Sequence, residues 1–191
     1  DMLSTIREVK GKKPLTFGRD PGNDIYAAEV RSRGLLGSEA VLCMGQERIP
    51  VSIPLPGEHM VYNALAAAAA GHLLGLSAEE IRRGIGAVEA TGGRSHIIRA
   101  GDRILIDDCY NANPVSMEAA IDLLIQAEGR KVAILGDMFE LGEEEEAMHG
   151  RVGRYAALRG VDCILAAGKC SRILCEEARK EAQRGAACEV H

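Results

Sequence analysis

The chain has 191 residues, 47% of them hydrophobic, and a formal net charge of −5, enough apolar material to bury the core of one large or two small domains. The acidic balance offers no cluster of Lys and Arg for a nucleic-acid backbone, and no apolar run is long enough to span a bilayer. The Asp1-Met2 start carries no basic, apolar leader, so the expected compartment is the cytoplasm.

Six cysteines, at 43, 109, 163, 170, 175 and 188, show no Cys-x-x-Cys spacing. Buried reduced thiols are therefore expected, in preference to a zinc site or a disulfide framework. With no tryptophan, four tyrosines and two phenylalanines, the core is expected to be aliphatic.

In chain order, the first sixty residues hold short β-rich runs at 15–17, 25–30, 40–44 and 48–55, punctuated by Gly and Pro, which read as sheet with turns. Pro54, Pro56 and Gly57 stop that sheet. The alanine- and leucine-rich segment 62–76 has high helix propensity. It ends near Gly75, and Ser77 is placed to cap a second helix. Ile81, Ile85 and Val88, at i, i+4 and i+7, give that helix a buried face. Thr91-Gly92-Gly93 is the expected joint between two domains, 1–92 and 93–191.

Beyond the joint, strands at 103–108, 131–135 and 161–166 alternate with helices at about 116–128, 143–159 and from 171 onward. Such alternation predicts an α/β fold with a mainly parallel sheet and right-handed crossovers. Met117, Ala120, Ile121 and Leu124 form the core stripe of the first of these helices, and Met148, Val152 and Tyr155 that of the second. A fourth strand is expected where the chain breaks off, at 187–191, and truncation at both ends is expected with it.

The polar residues that could carry chemistry gather at element ends. Ile104-Leu-Ile-Asp107-Asp108-Cys-Tyr110-Asn111-Ala-Asn113-Pro114 runs from an apolar strand into acids and amides, and the carboxyl end of a strand is where α/β proteins hold ligands. An ionised Asp107 or Asp108 there needs a partner such as a ribose hydroxyl, a cation or an arginine, or one of them is a plain strand-end acid. Asn111 and Asn113 can read the donor and acceptor edge of a base, or they serve turn chemistry before the helix. His59 and Asn63 sit at a helix start, where free N–H groups and the macrodipole favour phosphate. The bland alternative is that His59 caps the helix and Asn63 bonds the preceding loop. Arg94, after Gly92-Gly93, suits bidentate contact with phosphate, although a lone Arg is more often a solvated surface residue. The loop 136–142, with Asp137, Glu140 and Gly142, follows another strand on the same carboxyl edge. The acidic run Glu143 to Glu146 is accounted for by a solvated first helical turn. Nowhere is there a Gly-x-x-x-x-Gly-Lys-Ser/Thr phosphate loop.

Together, Gly57-x-His59-x-Val61-x-Asn63-Ala-Leu, Gly93-Arg94, the 106–117 string, Leu135-Gly136-Asp137-Met138-x-Glu140-Leu141-Gly142, His149 and Gly153 resemble the Mur ligases of peptidoglycan synthesis. Within that family they are most similar to the branch that joins D-alanyl-D-alanine to UDP-N-acetylmuramoyl-tripeptide. The resemblance covers nearly the whole chain. It implies that 1–92 is the end of a central ATP-binding domain and 93–191 the first part of a Rossmann-like C-terminal domain. It also implies ATP and Mg2+ as cofactors, an acyl-phosphate intermediate, and a monomer when full length.

Carried over residue by residue, His59 and Asn63 would line the nucleotide site, Arg94 would reach phosphates, Asp108 would hold the ribose, and Asn111 and Asn113 would lie near adenine. The loop of Asp137, Glu140 and Gly142 would face the central domain and help seat the dipeptide. The family usually has Asn directly after the motif histidine, where this chain has Met60. Its phosphate loop, magnesium-binding acid and UDP-binding domain would precede Asp1, so the chain alone is expected not to catalyse ligation or to hold the metal. A cyanophycin- or folylpolyglutamate-type ligase of the same superfamily is the second reading, and a non-enzymatic nucleotide- or protein-binding module the third.

Overall fold

The computed structural model describes residues 6–191, which divide into two compact units, the first running to Glu89 and the second Ala90–His191. Among the described residues no helix is long and apolar enough to cross a membrane.

The first unit is built on a mixed sheet of β1 (Phe17–Gly18), β2 (Ile25–Ser32), β3 (Ser38–Met44) and β4 (Glu47–Ile53), in the order β1-β2-β3-β4. β1 runs parallel to β2, and the other pairs are antiparallel. β4 shows why these runs are strands: Ile49, Val51 and Ile53 alternate inward while Arg48, Pro50 and Ser52 face solvent. Pro50 is tolerated because β4 is the edge of the sheet, where one side of the ladder needs no donor.

Against the sheet packs α1 (His59–Leu73), which buries Val61, Ala64, Leu65 and Ala68 at helical spacing. α2 (Ala78–Gly86) begins at Ser77 as expected, with a reciprocal capping box. The Ser77 Oγ accepts the Glu80 N–H, and the Ser77 N–H donates to the Glu80 carboxylate at 2.8 Å. Ile81 and Ile85 are buried, but Val88 is 46% exposed. The helix stops at Gly86, so the 3.6-residue period that would carry Val88 inward has already ended.

The second unit contains a parallel sheet of β7 (Val132–Leu135), β8 (Cys163–Ala166) and β9 (Glu189–Val190), and helices α3 (Pro114–Ile125), α4 (Glu145–Leu158) and α5 (Ser171–Gln183). Its core joins Ala133 and Ile164 of the sheet to Met117, Ile121, Val152, Leu174 and Ala178 of the helices. In α3, Ala120 and Leu124 are half-buried, and Leu123 is buried in addition to Met117 and Ile121. The closing fragment supplies the expected strand as β9.

The strand at 103–108 differs from expectation. It forms β6 (Arg103–Asp107), which pairs antiparallel with β5 (His96–Ala100) and not with the parallel set. The two are joined by only Gly101 and Asp102, with Gly101 at φ +61°. A two-residue hairpin closes at little entropic expense, and His96 to Ala100 is apolar enough to pair with the neighbouring strand. All six cysteines are free. Cys43, Cys163, Cys170 and Cys175 are buried, Cys188 is half-buried, and Cys109 is exposed, contrary to the expectation of buried thiols throughout.

Candidate functional site

At the carboxyl end of β6 the segment 92–95 wraps around the two acids. The Gly93 N–H donates to Asp107 Oδ2 at 3.0 Å, and the Gly93 carbonyl accepts the Tyr110 N–H at 2.9 Å. Gly93 is at φ +75°, and a Cβ there would lie 3.3 Å from the Tyr110 backbone and side chain, so the wrap needs glycine. The Ser95 N–H donates to Asp108 Oδ1 at 2.9 Å.

The acids thus divide their roles. Asp107 also accepts the Cys109 thiol at 3.0 Å. That thiol and the Gly93 N–H hold its carboxyl below the ordinary range, while the carboxylate raises the pKa of Cys109. Asp107 is the strand-end acid consumed by local structure. Asp108 keeps a second oxygen with no partner among the described residues.

Arg94 lies over the Tyr110 ring, its guanidinium carbon 4.0 Å from the centroid, an attractive cation–π arrangement. It is exposed, and among the described residues it has no carboxylate within ion-pair distance. Asn111 Oδ1 accepts the Ala112 N–H at 2.9 Å. Asn113 caps α3, its Oδ1 accepting the Ser116 N–H at 2.9 Å and its N–H donating to the Ser116 Oγ at 3.0 Å, with Pro114 in the first turn. Turn chemistry therefore occupies both carboxamide oxygens, and each side chain retains its NH2 group as a donor. Arg94, Asp108, Asn111 and Asn113 are brought to one corner by the Gly93–Tyr110 and Ser95–Asp108 bonds.

His59 and Asn63 belong to the first unit. Both are exposed at the start of α1, one turn apart. The residue capping α1 is Glu58, and no side chain caps it by a hydrogen bond, so its first N–H groups are not claimed by a side chain. The His59 ring instead folds back on Gly57, where a Cβ would come within 2.6 Å of it. Asn63 Nδ2 donates weakly to the Met60 sulfur at 3.4 Å. Met60 is half-buried, packs on the core, and lines with Asn63, Ile53, Leu55, Ile85 and Val88 an apolar groove of about 130 Å³.

The 136–142 loop is anchored on two sides. Asp137 Oδ2 accepts the Lys169 N–H at 2.7 Å, and Oδ1 accepts the Cys170 N–H at 3.0 Å. Burial alone would raise the Asp137 pKa, but these N–H groups, with Lys169 nearby, hold it below the ordinary range. The carboxylate fits there because residue 168 is glycine at φ +132°, where a Cβ would lie 2.4 Å from it. On the other side His149, only 1% exposed, accepts the Met138 N–H on Nε2 at 2.9 Å, and its Nδ1 lies 2.7 Å from the Glu145 carbonyl oxygen. From this base Phe139, 74% exposed, and Glu140, at φ +62°, project outward, and Gly142 starts the 3-10 turn that leads to α4. Sequence reasoning gave His149 no role beyond its place in the family pattern. The available signal was its spacing of three and seven residues from Val152 and Ala156, which puts it on the buried face of α4.

Two groups of potential metal donors occur among the described residues: Asp137, His149 and Cys170, and Cys163, Glu189 and His191. In the first, the imidazole lone pair and both carboxylate oxygens are already taken by backbone N–H groups. In the second, Glu189 is paired to Arg130 at 2.8 Å. A separate groove of about 380 Å³, lined by Ala157, Gly160, Asp162, Glu181, Arg184 and Ala186, contains none of the expected site residues.

Comparison with known proteins is consistent over both units. Residues 93–191 match the family model described as Mur ligase, glutamate ligase domain, and residues 1–71 the model described as Mur ligase middle domain. The UDP-N-acetylmuramoyl-tripeptide--D-alanyl-D-alanine ligase of Escherichia coli is 36% identical over 91% of this chain and 39% of its own length. The protein of the same name from Treponema pallidum is 43% identical over 83% of this chain and 32% of its length. A crystal structure of MurF from Acinetobacter baumannii superposes with a TM-score of 0.82 at 35% identity, over 92% of this chain and 37% of that one. The MurF ligase of Thermotoga maritima in complex with ADP, at 19% identity, shares the fold with a TM-score of 0.71, over 95% of this chain and 45% of that one. The chain spans about two fifths of the length of the curated relatives it matches or less. With one family model covering more than half of its residues and a second covering most of the remainder, the chain belongs to the Mur ligase family.

Proposed function

We propose that this chain is part of an ATP-dependent amide ligase of peptidoglycan precursor synthesis, a cytoplasmic enzyme, monomeric when whole, that joins D-alanyl-D-alanine to UDP-N-acetylmuramoyl-tripeptide. Residues 1–92 are the end of its central ATP-binding domain and 93–191 the start of its C-terminal domain. The observation that carries the reading is the corner at the end of β6, where an open Asp108 oxygen, an unpaired Arg94 guanidinium and the NH2 groups of Asn111 and Asn113 are held by backbone bonds. That set matches a nucleoside phosphate: hydroxyls for the carboxylate, phosphate for the guanidinium, base acceptors for the amides. The names borne by the relatives supply the substrates.

In the reaction, the terminal carboxylate of the tripeptide takes the γ-phosphoryl group of ATP, giving an acyl phosphate and ADP. The dipeptide amine attacks the acyl carbon, and the tetrahedral intermediate expels phosphate to leave the amide. This chain contributes binding and orientation. In the second unit Asp108 accepts from the ribose, Arg94 steadies phosphate, and Asn111 and Asn113 face the base; in the first unit, taken by itself, His59 and Asn63 are the polar side chains offered to nucleotide at the start of α1. The loop carrying Asp137, Glu140 and Gly142 seats the incoming amine. At this corner Asp107 and one oxygen of Asp108 are already held by N–H and S–H donors, which leaves, among the described residues, one Asp108 oxygen and no set of carboxylates for the magnesium that the family's chemistry uses on the transferring phosphoryl group.

The test is isothermal titration of ATP into the 191-residue chain, with and without magnesium, beside Asp108→Ala. Weak, magnesium-insensitive binding that the substitution abolishes is expected. Equal binding by Asp108→Ala, or none by a folded wild-type chain, would overturn the assignment of the nucleotide corner.

A further inference from the structure

We propose that His149 is the positioning residue of the 137–142 loop, holding the Met138 amide so that Phe139 and Glu140 are presented in one fixed direction to the incoming amine. The proposal rests on the ligase reading for what the loop receives. The geometry of the histidine stands apart from that reading.

Both imidazole nitrogens are used, and they are used differently. Nε2 lies 2.9 Å from the Met138 nitrogen, whose only available hydrogen points at it, so Nε2 must be the acceptor. Nδ1, 2.7 Å from the Glu145 carbonyl oxygen, must then carry the proton. The pair of bonds selects the Nδ1–H tautomer and ties the loop to the first turn of α4.

Met138 is itself fully buried. Its amide has no other acceptor among the described residues, and an orphaned buried N–H is costly. Two residues on, Glu140 occupies the left-handed region at φ +62°, a conformation that a non-glycine residue keeps only when its surroundings impose it. Asp137, on the other flank, is clamped to the Lys169 and Cys170 amides. The exposed residues of the loop are therefore mounted on a rigid base whose inner member is the imidazole.

Phe139 and Glu140, consecutive and both exposed, offer an aromatic ring and a carboxylate, groups suited to an ammonium group, which is the protonated form of a dipeptide's reacting amine. His149 touches no substrate in this arrangement. It acts through the Met138 amide.

The experiment uses the 191-residue chain, His149→Leu and His149→Gln, followed by NMR. Leu fills the volume without an acceptor, whereas the Gln Oε1 can reach the position of Nε2. The expected results are an Nδ1–H tautomer for the wild-type imidazole and slow exchange of the Met138 amide. Exchange becomes about tenfold faster in His149→Leu, the equivalent of one lost hydrogen bond, and is restored in His149→Gln. Millimolar D-alanyl-D-alanine shifts the amides of residues 139–142 in the wild type and His149→Gln, but not in His149→Leu, while the amides of β8 and α5 report an intact fold in all three.

An Nε2–H tautomer or a rapidly exchanging Met138 amide in the wild type overturns the role of His149, whatever the loop binds. A protected amide in a loop that the dipeptide leaves unmoved overturns the loop as the seat of the amine. An undiminished dipeptide response in His149→Leu overturns positioning by the histidine.

Discussion

Gly153→Ala is the substitution whose outcome the packing of the second unit decides most sharply. Gly153 lies where α4 meets α5, and a Cβ built on it would stand 2.1 Å from the Leu174 carbonyl oxygen, 2.9 Å from its carbonyl carbon and 3.1 Å from its Cα. A carbon atom approaches a carbonyl oxygen to about 3.3 Å, so the two helices must part by about 1 Å. Every obstructing atom is backbone, and no rotamer change can relieve the clash. The neighbouring Val152, Leu174 and Ala178 are fully buried and would lose contact together.

Overpacking of this kind costs about 1–3 kcal/mol, and a backbone obstacle places Gly153 at the upper end. The intrinsic preference of a helix for Ala over Gly offsets about 1 kcal/mol. The net destabilisation is about 2 kcal/mol, which lowers the melting temperature of a unit of roughly 100 residues by about 8–15 °C. Gly84, in the exposed face of α2, is the internal control. Nothing lies within 4 Å of a Cβ there, so Gly84→Ala should stabilise the first unit by about 1 kcal/mol, through propensity alone. Urea and thermal unfolding of both variants, followed by circular dichroism, make the comparison. A Gly153→Ala chain as stable as the wild type would refute the close approach of α4 and α5 as the reason for glycine in that position.

Two further outcomes follow from the acids. Asp137 has its pKa lowered from 3.8 in the fold, so its contribution to stability is fully present above that value and is lost as the pH falls through the lower, folded one. Asp137→Asn, which presents an NH2 to one of the two backbone donors, should therefore unfold at lower denaturant than the wild type at pH 7. The difference should shrink below pH 3.8, and a gap independent of pH would show that the charge is immaterial. Cys109, exposed but with its pKa raised by the adjacent Asp107 carboxylate, should react with iodoacetamide at pH 8 more slowly than a free thiol. Asp107→Asn should speed the reaction, and equal rates would dismiss the Cys109–Asp107 bond.

The local signals could be read from the residues alone. Ser77 with Glu80 three places on, and Asn113 followed by Pro114 and Ser116, mark helix starts because the bonds they make span only three residues. Alternation in β4 and the i, i+4 spacing of Ile81 and Ile85 show the buried faces for the same reason. The resemblance to the Mur ligases was also carried by short strings, each of which builds one loop or helix start.

The division of labour between neighbouring acids could not be read in this way. Asp107 and Asp108 are identical in sequence terms, and they differ because Gly93 and Ser95, 14 and 13 residues away, reach one carboxylate each. Nor does the spacing that puts His149 on the buried face of α4 announce which nitrogen will carry the proton. The pairing of β6 with β5 instead of the parallel sheet depended on a two-residue turn competing with a longer crossover.

The sequence by itself determined the caps of α2 and α3, the buried faces of β4 and α2, and the family, because these rest on periodicity, turn chemistry and motifs within a few residues. Tertiary structure decided which oxygen of Asp108 remains open, that Asp137 and His149 clamp the 137–142 loop, and why residues 153 and 168 must be glycine. Those outcomes depend on groups 11 to 33 residues apart meeting within hydrogen-bond or van der Waals distance, and only the packed chain sets that distance.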